Sequence, residues 1–370
     1  MALPYALAVT TGFLTIHYIR RADLTPVLGT WGHHEERKRA IRIKEFLTAS
    51  LENDKNLCAV LCEVALWYVL VSPTCRLDSF LFEFVDGGGC ADMPLSGRLR
   101  EGIRQLKSLV EVVERAVSEQ AVRSQSDIIH MIVCTALECI GGPRLKSKIG
   151  RRDHSLTDDS QRAQLVEAFR ASYGKKQSVE SLGDWFSTDL RTLRKWYFAL
   201  CSREQDLHIR QYMHSTGQRQ LIRQIWADQY LLALYGGFRA LHPEIIVPGG
   251  DKQFLVFSNH FFTALAGHTQ QVTAEAGTAS TSSQGGISAL WHACVRRYRA
   301  YLGDPKGLTS VDRSFCLLDA NFLRDPLTSD WVSIYAADED YFFKSFACAF
   351  AWLLDRGFSS SALVDVYYKG

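Results

Sequence analysis

Ten cysteines are the residues of this 370-residue chain with the most chemistry to offer, and none falls in a CxxC pair. Cys58 and Cys62 come closest, four apart in step with the apolar residues around them, which sets both thiols on one face of a helix. Without paired ligand spacing a structural zinc is not expected; buried free thiols in a reducing compartment are. Other signatures of catalysis are missing too: the chain holds no Walker loop, GxGxxG, HExxH or GxSxG. Gly87-Gly88-Gly89 lacks the lysine and following helix start of a phosphate loop, and the pairs Gly236-Gly237 and Gly249-Gly250 read as turns. Trp291, Val295, Tyr298 and Leu302 read as a helix-packing stripe with Arg296, Arg297 and Arg299 on its exposed side, an RNA-binding helix being the minor alternative. A formal net charge of +2 leaves no nucleic-acid footprint, so no nucleic-acid partner is expected.

Helices must position whatever site exists. Hydrophobic content of 47% against 22% charged residues supports a real core. Residues 35–51 are amphipathic, with Ile41, Ile43, Phe46, Leu47 and Leu51 on one side; residues 57–71 are apolar on nearly all faces and read as a buried helix. Residues 99–119 place Ile103, Leu106, Leu109, Val110, Val113 and Val117 at three- and four-residue spacing. A buried helix is expected over 127–140, stopped by Gly141-Gly142-Pro143. Further helices are expected over 184–201, 204–214, 218–235, 287–302 and 338–356, and strand evidence is confined to short pieces such as Ile245-Ile246-Val247. Residues 273–286, rich in Ala, Thr, Ser and Gly, read as a surface loop. The expected class is mainly α.

Four blocks, in order, carry a family resemblance. The first is Ser126-Asp127-Ile128 through Glu138, Gly141-Gly142-Pro143 and Gly150-Arg151-Arg152-Asp153; the second is Gln205-Asp206-Leu207 through His214-Ser215-Thr216-Gly217. The third is Phe257-Ser258-Asn259-His260-Phe261-Phe262, and the last joins Asp319 to Tyr335 through Phe343 and Leu353-Leu354-Asp355-Arg356-Gly357-Phe358. With the region around Trp67 they run from about residue 35 to 358 and resemble the class I haem peroxidases, the ascorbate peroxidase and cytochrome c peroxidase group. That resemblance implies the haem-dependent peroxidase fold, two helical lobes around a haem cleft. It also implies a domain over 35–370 with insertions near 218–250 and 263–312, behind an N-terminal extension over 1–34.

The same resemblance implies a site, and the chain departs from it. His214 matches the proximal histidine that ligates the iron of haem b, and Asp319 the aspartate that fixes its tautomer and raises its basicity. A surface histidine and an unrelated N-cap aspartate are the structural alternative. Arg223 matches a residue near a haem propionate, or is a surface arginine; Gly250 stands where the family has a tryptophan. On the distal side the stretch Val64-Ala65-Leu66-Trp67-Tyr68 aligns with the family's RLAWH. Trp67 is kept, but valine replaces the arginine and tyrosine the histidine. Peroxide cleavage needs a base and a cation, and a phenol with a pKa near 10 is a poor base at neutral pH. The asparagine that orients the distal histidine falls near Ile103 or Arg104 and is lost.

These departures lead to the expectation of a degenerate, non-catalytic peroxidase homologue serving as a structural or accessory subunit. An active or sensing haem protein that uses hydrogen peroxide is the alternative. Residues 2–19 are mostly apolar and are followed by Arg20-Arg21, a length near the minimum for a membrane span with a positive flank. A membrane anchor, a targeting sequence and a buried extension are the rival readings of that stretch. Mitochondrial relatives of this class include membrane-anchored members. By that analogy the expected setting is the mitochondrial inner membrane, with other protein subunits of a respiratory-type complex as partners.

Overall fold

This computed structural model describes residues 34–71, 76–82, 97–116, 124–151, 153, 167, 216–241, 256–266, 322–356, 358 and 363–365, without 146, 264 and 324. Among them the fold is mainly α. The helices are α1 (His34–Leu51), α2 (Lys55–Val71), α3 (Gly97–Ala116), α4 (Gln125–Cys139), α5 (Thr216–Ala240), α6 (Pro326–Ala337) and α7 (Glu339–Asp355). Strands β1 (Lys148–Ile149) and β2 (Val364–Asp365) pair antiparallel, Lys148 opposite Asp365 and Ile149 opposite Val364. The expected helices over 184–201, 204–214 and 287–302, the strand piece at 245–247, the loop over 273–286, the glycines at 87–89 and residues 2–19 all lie outside the described residues.

Helices α1 to α4 pack on one another, with α2 between α3 and α4. α2 is apolar all round because neighbours cover it all round: Cys58, Leu61, Cys62, Val64, Ala65, Leu66, Trp67, Tyr68 and Val69 are buried. Its first turn is capped by Asp54, whose carboxylate accepts the Leu57 amide at 2.9 Å. Glu63, the acid inside this apolar helix, is buried but held by the Arg98 guanidinium at 2.9 Å. α4 ends where the sequence predicts. Gly141 takes φ 83°, and the Gly141 and Gly142 amides donate back to the carbonyls of Glu138 and Leu137 at 3.0 and 2.9 Å, a Schellman stop.

A second group, α5, α6 and α7, packs together and meets the first through α7 against α2 and through the β1–β2 pair. Gly236 and Gly237 correct a sequence expectation here. They are not a turn; α5 runs through them to Ala240. A Cβ at Gly236 would stand 2.2 Å from the Phe262 ring, and one at Gly237 2.1 Å from the Phe346 ring. Close tertiary approach, not a chain reversal, requires the pair. Asp338 caps α7 by accepting the Tyr341 amide at 2.8 Å, and Glu339 and Asp340 in its first turn complement the helix dipole.

Candidate functional site

The distal positions named by the resemblance all lie on α2 and are all filled into the core. Val64, Trp67 and Tyr68 are each 0% exposed. Val64 faces α3: a Cβ added at Gly102 would meet the Val64 methyl at 2.8 Å and that of Val60 at 2.4 Å. Tyr68 turns its hydroxyl to Asp78, donating to Oδ1 at 3.2 Å, while Asp78 also accepts the Phe80 amide at 3.3 Å. The Trp67 and Tyr68 rings pack at a 6.3 Å centroid separation. Ile103 is buried in the α3 face, and Arg104 points outward to Glu101 at 2.9 Å. A valine and a phenol engaged by a carboxylate supply neither the base nor the cation of peroxide chemistry, so this half of the site does not fit a peroxidase haem pocket.

The proximal residues His214 and Asp319, and Gly250, lie outside the described residues. Arg223 lies in α5, but its side chain is outside them as well. Among the described residues no group of three or more His, Cys, Asp or Glu is placed to hold a metal ion.

A buried ionic network is what the structure does assemble, and its residues come from the first and last of the four blocks. Asp127 in the first turn of α4 accepts the Gly150 amide at 2.8 Å and the Arg151 amide and guanidinium at 3.2 Å each. Asp153 reciprocates by accepting the Gln125 and Ser126 amides at 2.7 and 2.8 Å, so each segment satisfies the other's open donors. Arg151, 1% exposed, carries its second nitrogen to Asp355 at the end of α7, and Lys148 reaches the other oxygen of that carboxylate at 2.6 Å. The third block joins the same frame. The Phe257 amide donates to the Ile140 carbonyl at 2.7 Å, and Asn259 Nδ2 donates to the Tyr335 and Ala336 carbonyls at 2.9 and 3.2 Å. Phe257 packs its ring on Phe346 at 4.8 Å.

One further pair has the residue types of a nucleophile and base. Cys134 Sγ lies 3.5 Å from His130 Nδ1, one helical turn away on α4. Its environment disarms it. Burial pushes the Cys134 thiol up to about 12, and burial with the nearby Arg151 and Lys148 cations holds His130 far below its usual value. A neutral thiol beside a neutral imidazole, both in the core, is not an activated dyad. The i, i+4 spacing of His130 and Cys134 is visible in the sequence; the burial that settles their state comes from the elements packed over α4. Cys58 and Cys62 are buried free thiols, as the spacing predicts.

No protein-family model matches the chain. No curated protein matches its sequence either. Among the described residues no helix is long and apolar enough to cross a membrane.

Proposed function

We propose that the chain is a degenerate member of the class I haem peroxidase family that serves as a structural or accessory subunit of a mitochondrial membrane complex, without peroxide turnover. The observation that carries this reading is the fate of positions 64 and 68: both side chains are wholly buried, one against Gly102 of α3 and the other on Asp78. Losing a distal base and a distal cation costs factors of about 10² to 10⁴ each. Support for the ancestry comes from the way three of the four blocks interlock, through Asp127–Arg151–Asp355 and through Phe257 and Asn259. On this reading partner contacts are assigned to the extension over 1–34, with membrane contact through 2–19, and to the proposed insertions near 218–250 and 263–312; of the former insertion, residues 231–241 are buried in the core and leave only its remainder for a partner.

The absorption spectrum of the purified protein, with a peroxide assay beside it, tests the proposal. No peroxide turnover is expected whether or not haem is bound. A Soret band abolished by His214→Ala would establish a retained haem mount, and peroxide turnover on top of it would overturn the non-catalytic reading.

A further inference from the structure

We propose that Cys58 and Cys139 are a redox-sensitive pair that a low-molecular-weight disulfide converts into a Cys58–Cys139 bridge between α2 and α4. The two residues lie at adjoining helix ends. Cys58 stands in the first turn of α2, its amide donating to the Asp54 carbonyl at 3.0 Å and its thiol to the Leu51 carbonyl at 3.3 Å. Cys139 is the last residue of α4, which packs on α2. The Cys58 and Cys139 thiols share a hydrogen bond, so the two sulfurs already face each other. The other two thiols of this helix pair are engaged elsewhere. Cys62 Sγ lies 3.8 Å from the Val133 carbonyl, and Cys134 turns to His130 Nδ1 at 3.5 Å and to Ser147. Exposure separates the partners: Cys139 is half-buried, whereas Cys58 is 0% exposed.

That difference sets the order of events. Cys139, as thiolate, attacks one sulfur of the incoming disulfide; the S–S bond breaks, a mixed disulfide forms on Cys139 and the first small thiol leaves. Cys58 then attacks the Cys139 sulfur and the second small thiol departs. The two protein thiols lose two electrons, the small disulfide is reduced to two thiols, and each protein proton ends, through solvent, on a departing thiolate. Burial raises both protein thiols, Cys58 to about 12, so the exchange is slow and the pair is a reversible lock rather than a fast nucleophile. The bridge ties the end of α4 to the start of α2 and closes the chain that carries α3, which restricts the unfolded ensemble. The pairing needs no haem, membrane or partner subunit.

Incubation of the full-length protein with oxidised glutathione, followed by alkylation and non-reducing peptide mapping by mass spectrometry, tests this. A peptide pair joined through Cys58 and Cys139 is expected, with a urea midpoint higher by about 1 M, and dithiothreitol should reverse both. C58S should stop the reaction at a glutathione adduct on Cys139, and C348S should leave the bridge unaffected. The linked peptide of the parent decides the matter even where C58S fails to fold. A parent adduct on Cys139 that never resolves, a bridge joining any other pair, or a bridge that lowers the urea midpoint would overturn the inference. So would glutathione on the exposed Cys348 with Cys58 and Cys139 both left unmodified.

Discussion

Arg151→Met should be among the most damaging single substitutions in the described core, and its damage should depend on pH in an unusual direction. The guanidinium is 1% exposed and serves two carboxylates, Asp127 on α4 and Asp355 on α7. After substitution Asp355 keeps Lys148 at 2.6 Å, but Asp127 keeps only the amides of Gly150 and residue 151. Removing one partner of a buried pair costs about 3–5 kcal/mol, because the other charge is left uncompensated. Burial pushes the Asp127 carboxyl above its ordinary value, with Arg151 and the two amides pulling the other way. The folded chain therefore holds that proton more tightly than the unfolded chain. Its contribution to stability is full below the unfolded value of about 3.9 and is lost as pH rises through the folded value. Deleting Arg151 removes the chief downward pull, so this window extends upward. Urea titrations should thus show the largest difference from wild type near neutral pH and a smaller one near about pH 4. Arg151→Met/Asp127→Asn should recover much of the loss, since no uncompensated charge remains. A loss independent of pH, or a double variant as weak as the two single losses added, would refute the reasoning.

Two other outcomes follow from the packing. Gly237→Ala should destabilise by about 1–3 kcal/mol from overpacking although alanine favours helix by nearly 1 kcal/mol, because the new methyl falls 2.1 Å from the Phe346 ring. Phe346→Leu in the same chain should restore part of that loss, and thermal unfolding of the single and double variants measures both. Among the described thiols, Cys348 is exposed, whereas burial pushes Cys58 and Cys134 up to about 12. A thiol reagent at neutral pH should therefore label Cys348 at once and the other two only on unfolding, as read by mass spectrometry; prompt labelling of Cys58 or Cys134 would contradict the assignment.

Local pattern carried α1 to α4 and α7 because each buries a face or a whole surface against neighbours, and burial imposes the spacing that sequence displays. α6 is not among the expected helices although its start is legible: Asp325 accepts the Thr328 amide at 3.3 Å and Pro326 takes the first helical position, an Asp-Pro signature. The β1–β2 pair was beyond reach, since two-residue strands carry no alternation to detect. Gly236-Gly237 misled because a glycine pair signals a turn locally, while here its meaning is the distance to rings on other elements. Of the ionic network, Asp127 and Arg151 stood within one quoted block, but the partner that ties them to α7 lies 204 residues beyond Arg151.

The replacements at 64 and 68 matter more for what they bind than for what they lack. An arginine at position 64 would project toward α3, where Gly102 admits no more than the Val60 and Val64 methyls, and the charge would enter an apolar helix interface. A histidine at 68 would replace the phenol whose hydroxyl now donates to the wholly buried Asp78 with a shorter side chain. Both present side chains thus have a structural task in the core. Restoring the two side chains of a working distal pocket would have to be accompanied by reshaping α3 at Gly102 and neutralising Asp78. On the proposed descent, Val64→Arg/Tyr68→His is expected to lower stability and to give no peroxide turnover, and turnover in that double variant would refute the link between the packing of α2 and the proposed loss of activity.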